Sequence, residues 1–216
     1  DDAIEIIRAE QTEDMEKFMG ITGDTDEFDY EEISVGLHFR KRFPWLVGLL
    51  LFGICSGVVI QHFSYAIEKI IILALFMPMI AATGGNVGSQ AASVIIRAMA
   101  LGQVTRADWW KVIWKESRTS LLLGLCLGIV GFVNVMIISG ISGTEHPFSL
   151  VNIALVISLA LSAQVVSASL IGAVLPIVVK RLGGDPAVVA SPAITSLVDV
   201  TGLLIYFGIT TAFFFV

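Results

Sequence analysis

The chain has 216 residues, 56% of them hydrophobic and 15% charged, with 20 Gly, two Cys and a formal net charge of −6. Such a balance excludes an ordinary water-soluble domain, and with a net acidic total no nucleic-acid partner is expected. Cys55 and Cys126 stand in apolar stretches with neither a CxxC nor a Cys/His ligand spacing, so no disulfide or zinc site is implied.

In chain order, residues 1–34 come first and carry thirteen Asp or Glu against Arg8 and Lys17. Ile4, Ile7, Met15, Phe18 and Met19 recur at helical spacing, and Gly20 is placed to end that helix. A helix this short cannot bury a core of its own. Residues 1–20 therefore read as the tail of a larger cytosolic domain, or as a helix that packs on a partner. Asp1 in place of a Met start, with no signal sequence, points to a truncated or processed chain. Residues 21–43 read as an acidic linker, GDTDEFDYEE at 23–32, followed by an amphipathic helix over 33–43. That helix suits either the inner membrane surface or a plain solvated linker with a basic flank. The acid run is either a solvated face or a cation sensor.

From residue 44 onward, five apolar windows approach or exceed the ~20 residues that cross a bilayer's hydrocarbon. They place spans at about 44–61, 70–98, 117–140, 150–179 and 187–214, an all-α membrane domain over 44–216. Arg40, Lys41 and Arg42 precede the first span. Arg97, Arg106, Lys111, Lys115 and Arg118 gather between the second and third, and Lys180 and Arg181 between the fourth and fifth, whereas the two other connections hold only Lys69. The positive-inside rule then puts the N-terminus in the cytoplasm and the C-terminus outside, in a cytoplasmic membrane.

Two spans carry polar residues at depth. In the second, Pro78 is followed by Thr83-Gly84-Gly85-Asn86-Val87-Gly88-Ser89-Gln90 and then Ser93. Asn86, Gln90 and Ser93 share one helical face. The glycines permit either close helix contact or local unwinding, and irregular backbone at this depth requires a protein-lined or wet surrounding. In the fifth span, Ser191, Thr195, Asp199 and Gly202 form one stripe, and Asp199 is the sole charged residue after Asp185. A mid-span carboxylate costs roughly 2.5–3.5 kcal/mol on insertion scales, so it faces a bundle interior or an aqueous path. Every polar group offered is oxygen, which suits a hard cation: Mg2+ with its water shell retained, or Na+ or a proton. No Walker-type phosphate loop is present, so neither an enzyme nor nucleotide-driven transport within this chain is expected.

The strings PMIAATGGNVGSQAASVIIRA (78–98) and SPAITSLVDVTGLLIYF (191–207) resemble the second and fifth transmembrane helices of the MgtE magnesium channels. The resemblance extends over 44–216. Upstream, EQTEDMEKFMGI (10–21) is similar to the end of that family's regulatory CBS domain, and 28–43 to its connecting, or plug, helix. It implies five transmembrane helices per subunit and a homodimer whose pore is lined by helices 2 and 5. The missing cytosolic regulatory domains would be its partners, together with membrane lipid and divalent cations. Mg2+ would be both the transported and the regulatory ion. The resemblance further implies that Asp199 binds the hydrated ion, that the Thr195 carbonyl contributes, and that Asn86, Ser89 and Ser93 face the pore along with Ser191. Glu68 would lie at the outer mouth and Asp185 at a cytosolic ion-sensing position. The expected function is channel-mediated Mg2+ uptake, with a sodium- or proton-coupled transporter as the alternative.

Overall fold

The computed structural model describes residues 34–105, 108–142, 147–189 and 191–215. The acidic segment 1–33, with its expected helix and linker, lies outside the described residues, as does the side chain of Ser191.

Among the described residues six α-helices follow one another: α1 (Val35–His62), α2 (Ser64–Lys69), α3 (Ile72–Ala100), α4 (Trp109–Ser142), α5 (Leu150–Arg181) and α6 (Ser191–Phe214), with a 3-10 turn at Pro186–Val189 before α6. No strand occurs among the described residues. All except α2 are long and apolar enough to cross a membrane, which agrees with the five expected spans. The helix expected over 33–43 runs without a break into the first span as α1, and α4 begins at Trp109, before the start expected at 117.

Each start has its own local cause. The Ser34 hydroxyl accepts a 3.4 Å bond from the Leu37 N–H and caps α1. Thr105 and Asp108 have the spacing of a capping box. Asp108 accepts from the Thr105 N–H at 3.1 Å and the Thr105 hydroxyl at 2.6 Å, while Lys111 donates to its other oxygen at 2.9 Å. Lys111 first, and Thr105 after it, hold the Asp108 carboxyl well below the usual carboxylate range.

Pro44, Pro78 and Pro176 lie inside α1, α3 and α5 without interrupting them. The unwinding that Pro78 and the following glycines would have permitted does not occur. A single proline deletes one donor, and the rest of the backbone ladder holds the helix together.

Helix α5 is the centre of the bundle and packs against α3, α4 and α6. In its apolar window 61% of residues are buried, against 6% for α1, which lies along α6 and is otherwise covered only by its surroundings. Ile153, Ile157, Leu161 and Val165 of α5 meet Leu73, Phe76 and Ile80 of α3, and Ile194, Val198, Tyr206 and Phe207 of α6. Apolar burial between helices gains little when the alternative is lipid, so close backbone approach and interhelical hydrogen bonds fix the arrangement. The Ser162 hydroxyl donates 2.8 Å to the Gly124 carbonyl, tying α5 to α4. The buried Tyr206 hydroxyl donates 3.0 Å to the Leu73 carbonyl, tying α6 to α3.

Candidate functional site

Helices α3 and α6 run antiparallel in contact. Leu73 meets Tyr206 near one end, and Gly88 meets Ile194 towards the other. Between these points the motif of α3 splits into two faces. Gly84, Gly85 and Gly88 are buried. A Cβ on Gly85 would stand 3.0 Å from the Thr195 methyl, and one on Gly88 3.0 Å from Ile194. On the far side of α3, a Cβ on Gly172 of α5 would collide with the Gly88 carbonyl oxygen. The glycines thus serve close helix contact.

The other face is uncovered. Asn86, Gln90 and Ser93 are exposed, and Ser89 is half-buried at the seam. The Ser89 and Thr195 hydroxyls stand 3.4 Å apart across α3 and α6, while the Ser93 hydroxyl donates 2.8 Å to the Ser89 carbonyl. Asp199, one turn beyond Thr195, is half-buried and makes no hydrogen bond or ion pair among the described residues.

Behind this surface lies Gln164 of α5, fully buried, a residue that spacing alone did not single out. Its amide donates 2.9 Å to the Val198 carbonyl, the peptide unit that leads into Asp199. Gly84 and Gly202 make room for it: a Cβ at either would run into the Gln164 amide. Gly202 is therefore buried in packing and does not extend the polar stripe of Thr195 and Asp199. The available signal was a lone carboxamide midway along an apolar span, which has to find a partner.

The MgtE family, described as a divalent cation transporter, matches residues 77–209, which contain the polar face, Gln164 and the glycines packed around them. The chain belongs to the MgtE family. Magnesium transporter MgtE of Thermus thermophilus is 36% identical over 209 residues, covering 97% of this chain and 44% of that protein. The protein of the same name from Bacillus subtilis is 33% identical over 214 residues, 99% of this chain and 44% of its own. A third, from Enterococcus faecalis, is 32% identical over 213 residues. The chain thus spans less than half the length of these curated MgtE relatives.

Of the expected site residues, the MgtE fold brings together Thr195 and Ser89, with Asp199 half-buried one turn further along α6 and Asn86 and Ser93 exposed on α3. Glu68 lies apart, exposed on α2. Asp185 lies apart as well, exposed in the connection that follows α5, where its carboxylate accepts 2.9 Å from the Ala187 N–H and starts the 3-10 turn. With helices alternating in direction, these two acids occupy opposite ends of the bundle. Among the described residues no three His, Cys, Asp or Glu side chains cluster as a ligand set for a stripped ion.

Proposed function

We propose that this chain forms the pore of a magnesium channel, as a homodimer in which α3 and α6 of both subunits surround one axial path. The observation that carries the reading is the uncovered polar face: Asp199, Thr195, Asn86, Gln90 and Ser93, midway along two apolar helices. A carboxylate and two carboxamides at that depth are not stable against lipid tails. A second copy related by a twofold axis would cover the face with itself and bring two Asp199 carboxylates to the axis.

Two carboxylates with hydroxyls and carboxamides around them suit Mg2+ that keeps most of its water, because Mg2+ dehydrates reluctantly and binds through one or two carboxylates. Asp199 of each subunit supplies charge, and Asn86 and Ser93 hold first-shell waters. The Thr195 carbonyl, already in the helix ladder, offers its second lone pair. Ser191, at the first turn of α6, sits at the cytoplasmic end of the same line. Glu68 gathers cations at the outer mouth. Asp185 and the acidic residues 1–33 take part in sensing cytosolic Mg2+ together with regulatory domains. The names of the relatives, all magnesium transporters, support Mg2+ as the ion.

Purified protein in planar bilayers with a Mg2+ gradient tests this. The reading requires ohmic single-channel current without any sodium or proton gradient. Flux that demands such a gradient would instead establish coupled transport, with Asp199 cycling its proton or a sodium ion.

A further inference from the structure

At the end of the bundle that bears the basic connections, a cavity between α3 and α4 adjoins a groove on the outer surface of α4, and the two share Lys115. One, of about 420 Å³, is lined by Arg97, Lys115 and Glu116. The other, of about 710 Å³, runs outside α4 along Trp114, Lys115, Arg118 and Leu122. Lys111 is held by Asp108 and Arg181 lies over the Trp109 ring, but Arg97, Lys115 and Arg118 have no side-chain partner among the described residues. The acid among the lining residues, Glu116, accepts 3.0 Å from the Ser169 hydroxyl of α5 and so turns inward.

We propose that these cavities bind the phosphodiester headgroup of an anionic phospholipid. Three cations without a side-chain partner among the described residues, against one engaged carboxylate, repel divalent cations and attract a phosphate. Basic pockets between transmembrane helices at the membrane surface take headgroups of this kind. The groove does not end at the charges, because Leu122, 67% exposed, continues it one turn further into the span, where an acyl chain lies. Trp114, 62% exposed beside Lys115, provides the amphipathic ring that settles at headgroup depth. A free phosphate would use the cations but leave this apolar wall bare, so the lipid is the better fit. The site is separate from the α3–α6 polar face and does not depend on how that face conducts.

Trp114 supplies the readout. The full chain, with Trp45, Trp109 and Trp110 replaced by Phe, is reconstituted in phosphatidylcholine vesicles that contain a small fraction of brominated lipid, and Trp114 quenching is recorded. Brominated phosphatidylglycerol is expected to quench at several-fold lower mole fraction than brominated phosphatidylcholine. This preference should weaken with salt and fall about five-fold for each basic side chain removed, as in K115Q and R118Q. An excess of inorganic phosphate should not displace the lipid. Equal quenching by the two lipids in the parent protein, which needs no charge substitution, would overturn the proposal. A preference that survives K115Q/R118Q, or that free phosphate abolishes, would overturn it as well.

Discussion

The amide of Gln164 donates 2.9 Å to the Val198 carbonyl from the opposite helix, and the next residue along α6 is Asp199. A buried side chain on the central helix thus fixes the backbone that presents the candidate ion ligand. Gln164→Leu keeps most of the volume and deletes the bond. Interhelical bonds of this type contribute about 0.6–1.7 kcal/mol, so stability falls modestly, while Mg2+ flux per assembled protein falls several-fold because Asp199 loses its anchor. The control is Ser158→Ala, a buried position on the same helix whose hydroxyl bonds only within α5, 2.6 Å to Ala154. Flux assays on both, normalised to folded protein, check this; equal flux in the two variants would reduce Gln164 to a packing residue.

Gly172→Ala drives a methyl into the Gly88 carbonyl. Backbone cannot step aside as a side chain can, so α3 and α5 must separate. Overpacking of this kind costs about 1–3 kcal/mol, and a lowered thermal midpoint in detergent is expected. An unchanged midpoint would mean that the two helices are not held in close contact at that point.

Tyr206→Phe removes the hydroxyl bond to Leu73 but keeps the ring in its buried seat. The expected loss is again about 0.6–1.7 kcal/mol, seen in unfolding and not in conduction, since Tyr206 faces the core and not the polar surface. Selective loss of conduction at full stability would contradict that placement.

Asn86→Leu places an apolar side chain on the exposed face of α3. Conduction should be blocked or strongly impaired, because an apolar lining does not hold ordered water around a passing ion. Flux per assembled protein that stays intact while stability changes would make this face a contact surface and nothing more.

Much of this was legible in the sequence, for physical reasons that can be named. The five spans stand out because Arg42, Arg97, Arg118 and Arg181 bound apolar windows of membrane length. Asp199 stands out because a lone charge at depth requires an explanation. The period of 3.6 put Asn86, Gln90 and Ser93 on one face, and the fold leaves that face open. Spacing alone did not reveal which neighbour each stripe meets. Gly202 fits the stripe of Thr195 and Asp199 on paper, yet it is turned far enough to receive Gln164. Gln164 itself is one amide in a helix rich in Leu, Ala and Ser, and its importance depends on a register with α6 that only three-dimensional packing sets. The same holds for Pro78, whose effect on α3 depended on whether the surrounding ladder would yield.

The central claim is that Asp199 is the ion ligand of a two-subunit pore, and Asp199→Ala tests it most directly. The group is half-buried, and among the described residues no hydrogen bond or ion pair depends on it, so the variant should fold and assemble like the parent. Parent and variant are reconstituted in parallel, their oligomeric state is checked, and Mg2+ current is measured under the same gradient with competing monovalent ions. The expected result is an assembled dimer with no Mg2+-selective current. Selective Mg2+ current at the parent's rate in Asp199→Ala would contradict the proposed site.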